Sequence, residues 1–286
     1  MSDILCFYHK DLDGICAASI VKHKFPDCEC IGLTYEKDLP NLPEKGKTIY
    51  IVDYTFPVDY MHQLNEDHIV HWIDHHHNAI SEVKSSGFKA SGSETLDPSY
   101  SGAALTWMHF NRHIKLPRFI ELVSNWDLWK HDDPECVYFH YGIFCNADTS
   151  PGAEVWNKLN NAAHLSLVSE TIIREIVECG KKARSYQGII DKDHVQRFAY
   201  VVDFEGHKAL VANYHRGTSE IFDSIIEEDK YRCDVMIIYS HRKNGYKYSI
   251  RSNDDTVDVA LIAKKYGGNG HRASAGFWHD TLLWET

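Results

Sequence analysis

Short apolar runs that alternate with helical patterns fill the first third of the chain. The runs are ILCFY at 4–8, CECIGLTY at 28–35, KTIYIVDY at 47–54 and HIVHWIDHHH at 68–77. Each is rich in Ile, Val or Tyr, and helical patterns at 14–25 and 58–65 separate some of them. Strands that alternate with helices are typical of a parallel sheet. The sequence therefore predicts an α/β fold that begins with a parallel-sheet domain.

Acidic residues follow three of these predicted strands. ILCFY runs into HKDLD, TIYIV runs into Asp53, and HIVHWI runs into DHHH. An Asp after a single strand is commonly a helix cap or a turn residue. The carboxyl ends of parallel strands, however, meet at one edge of the sheet, where ligands bind. We therefore expect the three acidic ends to lie together, with Asp127 of NWDLW as a fourth acid in an apolar setting.

A metal would explain this concentration of charge. His9, Asp11 and Asp13 interrupt two segments that both look buried, and buried charge is unfavourable unless it is paired or bound to a metal. Carboxylates with imidazoles suit Mn²⁺, Fe²⁺, Co²⁺ or Zn²⁺. Together these side chains offer more ligand atoms than one metal ion needs. A pair of ions about 3.5–4 Å apart, as in two-metal phosphoryl-transfer sites, would use them all.

The rest of the chain predicts helices first and then a second set of strands. Helices are predicted at 99–113, with Ser99 or Ser101 as N-cap, at 116–129, and at 161–190. The later strands are predicted at 197–204, 207–214, 233–240 and 245–252, with helices at 218–229 and 257–266. HRKNGY predicts a hairpin turn with Asn244 and Gly245 at its tip. The change of pattern places a domain boundary near residue 190.

Composition limits the class of protein. The 286 residues have a formal net charge of −11, and a protein that binds long nucleic acid needs a basic track. Most of the excess acid precedes residue 195, so the last third is nearly neutral. No apolar run is long enough to span a bilayer. The first ten residues lack a signal-peptide pattern and the eight cysteines are scattered, so we expect a cytoplasmic protein with reduced thiols.

The ordered motifs resemble those of the DHH phosphoesterase superfamily. They are HKDLDG at 9–14, Asp53 at a strand end, DHH at 74–76 and Asp127, and GGNGHRASAGF at 267–277 resembles the glycine-rich signature of the DHHA1 domain. The likeness is greatest to the compact oligoribonuclease (nanoRNase) or cyclic-nucleotide phosphodiesterase branch. It implies a DHH catalytic domain at 1–160, a helical linker at 161–194 and a smaller mixed α/β DHHA1 substrate domain at 195–286.

The resemblance also implies roles for residues of the first domain. His9, Asp11 and Asp53 would hold one metal ion. Asp13, Asp53, His75 and Asp127 would hold the other, with Asp53 as the bridge. Asp74 would orient His75, and His76 would face the scissile phosphate or the leaving group. The additional His77 is interpreted as a surface or capping residue.

The glycine-rich segment also has a physical meaning of its own. Glycines let a ligand approach the backbone closely, and successive N–H groups form an anion-binding concavity. The predicted phosphate-binding residues are Arg251, Ser252, Gly267, Gly268, Gly270, His271 and Arg272. Alternatively, the glycines form a tight strand turn and Arg251 forms a surface ion pair. Asn269 stands where the related proteins usually have glycine.

These expectations combine into one function with several alternatives. The chain is expected to be a Mn²⁺-dependent phosphodiesterase with two metal ions, which hydrolyses short oligonucleotides to 5′-mononucleotides with a metal-activated water. The alternatives are a cyclic (di)nucleotide phosphodiesterase, a phosphatase acting on a nucleoside bisphosphate, pyrophosphate or polyphosphate, and a metal-free nucleotide-binding module. No membrane partner and no long nucleic-acid partner is expected. The sequence does not decide whether the protein forms a homodimer, whether the substrate is RNA or DNA, or from which end it is cleaved.

Overall fold

The structure is a computed structural model that describes residues 2–35, 39–112, 114–130, 133–215, 219–222, 231–253 and 256–284. The chain divides into two compact units, Met1–Arg184 and Ser185–Thr286. This division lies close to the boundary near residue 190 that the sequence suggests. The functional domain limits at residues 160 and 195 stay predictions.

A five-stranded parallel sheet forms the centre of the first unit. Its strands are β1 Ile4–His9, β2 Glu29–Leu33, β3 Thr48–Val52, β4 Ile69–Asp74 and β5 Ser93–Leu96. They lie in the order β2-β1-β3-β4-β5, and every neighbouring pair is parallel. The predicted parallel-sheet domain is therefore confirmed. The three strands with acidic ends, β1, β3 and β4, are consecutive in this order.

Helices cover both faces of this sheet. They are α1 Leu12–Lys24, α2 Val58–Asp67, α3 His77–Ser85, α4 Gly102–Phe110, α5 Arg118–Asp127, α6 Glu135–Ile143, α7 Glu154–Ala162 and the start of α8 Ser166–Phe198. One apolar core joins β1 and β3 to α1, α4, α5 and α7, and it includes Phe119 and Trp156. The other core lies against α2 and α3 and includes Met61 and Trp72. Both faces are buried, which is why the strands read as continuous apolar runs.

The structure adds elements that the sequence interpretation missed. Strand β5 and helices α3, α6 and α7 are all additional. The strand predicted to reach residue 77 ends at Asp74, and His77 begins α3 at the surface. Ser101 is the N-cap of α4, because its Oγ accepts the Ala104 N–H at 3.3 Å. Ser99, the alternative, lies two residues before this cap.

A six-stranded mixed sheet forms the second unit. Its strands are β6 Tyr200–Phe204, β7 His207–Asn213, β8 Val235–Arg242, β9 Gly245–Ser252, β10 Asn269–His271 and β11 Ser274–His279. The order is β10-β11-β9-β8-β7-β6, and only the β7–β8 pair is parallel. Helix α9, Val259–Lys265, packs against this sheet through Val259 and Ile262. The predicted smaller mixed α/β fold is confirmed.

Three details of the second unit differ from the sequence interpretation. Strands β10 and β11 were not predicted; they pair within and just beyond GGNGHRASAGF, as the alternative of a tight strand turn allows. Arg242 pairs with Gly245, so the β8–β9 turn has Lys243 and Asn244 at its tip. Within the helix predicted at 218–229, Ser219–Phe222 forms a single 3-10 turn, and the rest lies outside the described residues. Within the described ranges, no helix is long and apolar enough to cross a membrane.

Candidate metal centre

The acidic strand ends meet at one edge of the parallel sheet. His9 is the last residue of β1, Asp53 follows β3, and Asp74 is the last residue of β4. Because these strands are adjacent and parallel, their ends lie side by side. Asp11 caps α1 by accepting the Gly14 N–H at 2.9 Å. The order of the sheet therefore brings distant parts of the sequence into one cluster.

Asp53 is the central residue of this cluster. His9 Nδ1 lies 3.9 Å from Asp53 Oδ2, and His75 Nε2 lies 3.1 Å from Asp53 Oδ1. His75 Nε2 also lies 3.6 Å from the Oδ2 atom of Asp127, the last residue of α5. The two oxygens of Asp53 thus face different histidines. This geometry suits a carboxylate that bridges two ions.

The backbone of Asp53 is held in an uncommon conformation. Its φ angle is +53°, in the left-handed region, where Asp and Asn are tolerated better than most residues. A Cβ atom added to Gly102, at the start of α4, would lie 2.4 Å from the Asp53 Cβ atom. Glycine at position 102 therefore allows α4 to approach the Asp53 side chain directly.

Asp13 is held at the same helix terminus. Its side chain is buried, with Oδ2 accepting the Gly102 N–H at 2.5 Å and Oδ1 accepting the Ala103 N–H at 3.0 Å. The first N–H groups of a helix lack partners within the helix and favour negative charge. Burial and Asp11 raise the pKa of Asp13 to about 6, although the N–H donors oppose the rise. Asp13 thus has hydrogen-bond partners of its own beside the cluster.

Several buried nitrogen and oxygen atoms of the cluster have no hydrogen-bond partner. Among the described residues, eight buried side-chain nitrogen or oxygen atoms lack one, and five of these belong to the cluster. They are His9 Nδ1, Asp53 Oδ1 and Oδ2, His75 Nε2 and Asp127 Oδ2. Buried polar atoms in proteins are normally satisfied. These atoms instead lie close to other possible ligand atoms: His9 Nδ1 is 2.7 Å from Asp11 Oδ2, and His75 Nε2 is 3.1 Å from Asp53 Oδ1.

The donor set fits divalent metal ions. Three groups of residues could each hold a metal ion, because within each group the possible ligand atoms lie within 4.8 Å of one another. The groups are His9, Asp11 and Asp53; Asp13, His75 and Asp127; and Asp53, Asp74, His75 and His76. The first group is the predicted set for one ion. The second, with Asp53 beside it, is the predicted set for the other. The structure therefore brings together all six predicted metal ligands, whose roles stay a proposal.

The raised pKa values of the clustered carboxyl groups also indicate that a bound cation would stabilise the site. Burial, followed by the charges of neighbouring carboxylates, raises the pKa of Asp53 well above its usual range. Burial and the charges of Asp13 and Asp11 raise the pKa of Asp127 to about 9. Carboxylates crowded in this way resist ionisation together unless positive charge is supplied. A bound divalent ion would supply that charge.

Asp74 orients His76 rather than the His75 ring that the sequence interpretation assigned to it. Its Oδ1 atom lies 2.8 Å from His76 Nδ1, whereas it contacts His75 through the backbone N–H at 2.7 Å. Thr55 Oγ1 donates to Asp74 Oδ2 and accepts the Trp72 Nε1–H at 3.0 Å. Burial lowers the pKa of His76, but the hydrogen bond and charge of Asp74 outweigh it and raise that pKa.

The predicted phosphate-binding residues lie in the second unit. Arg251 and Ser252 end β9, and Arg251 Nη2 lies 3.6 Å from Met236 Sδ. Gly267 and Gly268 follow α9, Gly270 lies in β10, and the exposed Arg272 lies in the following turn. The backbone of His271 belongs to β10, but its side chain lies outside the described part. The roles of these residues stay predictions.

Packing explains two glycines of this hairpin without a ligand. A Cβ atom on Gly268 would lie 2.2 Å from the Gly276 carbonyl oxygen, and one on Gly270 would lie 2.4 Å from Ala275 Cα. The glycine-rich signature therefore has a structural reason within β10 and β11. It provides close strand contact whether or not phosphate binds there.

Residues outside the recognised motifs also shape the centre. Thr55 donates a hydrogen bond to Asp74, and Ser101 caps α4. Gly102 lets α4 approach Asp53 closely. Tyr35 and Tyr54 lie beside the histidines, with the Tyr35 and His9 ring centroids 5.3 Å apart. Thr55 and Tyr54 directly follow Asp53 in sequence, which is a signal that sequence interpretation could have used. Tyr35 and Gly102 show no such local signal.

Comparison with known proteins supports the fold. No protein-family model matches the chain. Protein R106 of Acanthamoeba polyphaga mimivirus is 23% identical over 289 residues, and the alignment covers 96% of this chain and 62% of R106. The chain thus spans under two thirds of the length of this curated relative.

One solved structure with a similar fold is a DHH domain. The DHH domain of a member of the s1p family of ribosomal proteins aligns with a TM-score of 0.57 at 12% identity, covering 97% of this chain and 83% of that one. RecJ of Thermus thermophilus, solved in complex with Mn²⁺, has a TM-score of 0.47 at 13% identity, with 97% and 49% coverage. The first of these likenesses shows that the chain has a DHH-type fold.

Proposed function

We propose that the chain is a Mn²⁺-dependent phosphodiesterase that hydrolyses short oligonucleotides to 5′-mononucleotides. One observation carries the proposal: five buried nitrogen and oxygen atoms that could bind metal have no hydrogen-bond partner. They belong to His9, Asp53, His75 and Asp127. Mixed imidazole and carboxylate donors favour Mn²⁺ over Mg²⁺, which prefers an all-oxygen shell. His9, Asp11 and Asp53 would hold one ion, and Asp13, Asp53, His75 and Asp127 the other.

The ions would activate a water molecule and stabilise the charge that develops on the phosphate. The residues of the chain do the remaining work. Asp53 fixes the spacing of the two ligand groups, because each of its oxygens faces a different histidine. Asp13 is held at the α4 N-terminus, which keeps its carboxylate in place. The buried centre thereby keeps its ligands in a fixed geometry.

His76 is the proposed proton donor to the leaving oxygen. Its Nδ1 atom is held by Asp74 Oδ1 at 2.8 Å, which leaves Nε2 available to substrate. The hydrogen bond and charge of Asp74 raise the pKa of His76, which makes this ring easier to protonate than an ordinary histidine. His76 is also close to the metal ligands, because its ring centroid lies 4.5 Å from that of His75. Asp74 would act as the positioning residue for this ring.

The substrate is proposed to be short for reasons of charge. The chain carries a net charge of −11, whereas binding of a long nucleic-acid strand depends on a basic track. Phosphate contacts are assigned to Arg251, Ser252, Gly267, Gly268, Gly270, His271 and Arg272 of the near-neutral second domain, with Arg the residue type suited to bidentate contact. We place the enzyme in the cytoplasm, and the proposal does not require a dimer.

A substrate panel with defined metals tests the proposal. Linear dinucleotides, longer oligomers, a cyclic dinucleotide and pyrophosphate are each incubated with Mn²⁺ or Mg²⁺, and products are separated by chromatography. We expect Mn²⁺-dependent turnover, fastest on short linear substrates, with 5′-mononucleotides as products. Faster turnover of pyrophosphate or of the cyclic substrate would reassign the substrate class. Full activity after exhaustive chelation would refute the metal requirement.

A further inference from the structure

Two tyrosines stack on each other at the rim of the metal centre. The rings of Tyr35 and Tyr54 are nearly parallel, with an interplanar angle of 19° and centroids 4.7 Å apart. Tyr35 also contacts the two histidines, its centroid lying 5.3 Å from that of His9 and 6.2 Å from that of His76. Tyr35 follows β2, the neighbour of β1, so it lies at the same edge of the sheet as the metal ligands.

The inner tyrosine is fixed by the core. Tyr54 is 3% exposed, and its ring contacts Phe56 edge-on with centroids 5.0 Å apart. Phe56 in turn packs on Phe7 and Tyr60, with centroids 5.3 and 4.5 Å away. The stack therefore has a rigid base. Tyr35 rests on a ring that packing against Phe56 holds in place, although Tyr54 lies in the loop between β3 and α2.

The outer tyrosine is open to solvent. Tyr35 is 53% exposed although one face of its ring lies on Tyr54. Burial of its hydroxyl group, followed by the charges of Asp74 and Asp53, raises the pKa of Tyr35. Tyr35 is thus near the acidic centre, while more than half of the residue is exposed. An exposed, uncharged aromatic surface beside a phosphate site suits a planar aromatic ligand group.

We propose that Tyr35 is a stacking platform for the nucleobase of the nucleotide whose phosphate binds at the metal centre. The inference rests on the proposed function. Bases stack on aromatic side chains with little regard to sequence, because every base has a π-face. The platform would therefore select nucleotides over simple phosphate esters while discriminating weakly between bases. It would place the base near His9 and His76, whose ring centroids lie 5.3 and 6.2 Å from that of Tyr35.

Kinetics on substrates with and without bases test the inference. Tyr35→Ala is compared with Tyr35→Phe, and Tyr186→Ala serves as a control for removal of an exposed tyrosine. We expect Tyr35→Ala to lower kcat/KM for a dinucleotide by about 5- to 150-fold, which corresponds to the stacking energy of ~1–3 kcal/mol per base. Turnover of an abasic di(deoxyribose) phosphate should be unchanged. Tyr35→Phe should retain most of the activity, because it keeps the ring.

A binding measurement separates this inference from the proposed function. A methylphosphonate-linked dinucleotide that contains 2-aminopurine resists hydrolysis, and its fluorescence is quenched when the base stacks. We expect quenching by the parent protein with Mn²⁺ and by Tyr35→Phe, but not by Tyr35→Ala. Quenching that persists in Tyr35→Ala would overturn the inference, as would equal losses on the abasic and base-containing substrates. Absence of any diester turnover by the parent protein, with normal quenching, would overturn the proposed activity while supporting the platform.

Discussion

His75 Nε2 lies 3.1 Å from Asp53 Oδ1, yet among the described residues neither atom has a hydrogen-bond partner. The distance would suit a hydrogen bond, so the missing alignment is informative. Burial and the neighbouring His76 lower the pKa of His75 to about 4, which favours the neutral ring. A neutral imidazole and a carboxylate at this distance are arranged as metal ligands are.

Asp53→Asn should abolish stabilisation by Mn²⁺. The parent protein should gain about 2.7 kcal/mol of unfolding free energy when the free ion is at about 100 times its Kd. The variant keeps the left-handed backbone, which Asn tolerates, but it loses the charge that faces both histidines. Thermal unfolding with and without Mn²⁺, together with metal content per chain, measures the effect. Asp59→Asn, at an exposed position in α2, is the control and should respond to Mn²⁺ like the parent.

Gly102→Ala should disturb the metal centre from outside the ligand set. The new Cβ atom would meet Asp53 Cβ at 2.4 Å, so either α4 or Asp53 must move. Overpacking of this kind typically destabilises by about 1–3 kcal/mol. We expect a lower melting temperature and weaker Mn²⁺ binding by calorimetry. Gly152→Ala is the matched control, because its Cβ would lie an ordinary 3.7 Å from Lys22 Cε. Equal behaviour of the two variants would contradict the packing argument.

Thr55→Val should uncouple Asp74 from the core. The Thr55 hydroxyl donates to Asp74 and accepts from Trp72 Nε1, and all three residues are buried. Replacing it with a methyl group leaves two buried polar groups without this partner, which costs about 1–3 kcal/mol for each unsatisfied group. Chemical denaturation measures the loss. Thr171→Val removes a hydroxyl that bonds to Leu167 O on the exposed surface of α8, and it should change stability little.

The contribution of His109 to the stability of the metal-free protein should fall as the pH drops from about 6.5 to about 4. Burial, then His71 and Arg112, lower the pKa of His109 to about 4. The unfolded chain, with an ordinary histidine pKa of about 6.5, binds the proton first, so acid favours unfolding in this window. His109→Gln should flatten this slope in denaturation curves. His23→Gln, at an exposed position, should leave the slope as it is.

Arg251→Ala should separate metal binding from substrate binding. Arg251 lies in β9 of the second unit and is not among the residues that group as candidate metal ligands. A charge-assisted phosphate contact is worth about 1.5–3 kcal/mol, so kcat/KM on a dinucleotide should fall roughly 10- to 150-fold. Metal content should not change. Unchanged kinetics would mean that Arg251 serves the β8–β9 pairing alone, as its contact with Met236 allows.

The strands with strong apolar runs could be predicted from the sequence, and the weakly apolar elements could not. TIYIV and IVHWI have few alternatives to buried strands, and β3 and β4 confirm them. Strand β5 is SETL, half-buried along its length, and it depends on pairing with β4 rather than on its own pattern. The hairpin of β10 and β11 was missed because glycines usually indicate a loop. Here they allow strands to approach closely.

The clustering of the candidate metal ligands could be predicted because parallel strands end at one edge of the sheet. The partners of those ligands depend on side-chain geometry that no local pattern encodes. Asp74 could have reached either neighbouring histidine, and only the structure shows that it holds His76. Asp13 similarly finds its donors at Gly102 and Ala103, nearly ninety residues away in sequence. Tyr35 lies beside the centre because β2 is the neighbour of β1, which is a tertiary relationship.

The left-handed backbone of Asp53 restricts how this position can change during evolution. Glutamate would keep the charge but add a longer side chain at a φ of +53°, beside the helix that Gly102 brings close. Asparagine and glycine suit the backbone but remove the carboxylate. A lineage that keeps the metal centre should therefore retain aspartate here. Without the need for a carboxylate, asparagine and glycine would be the replacements that fit this backbone best.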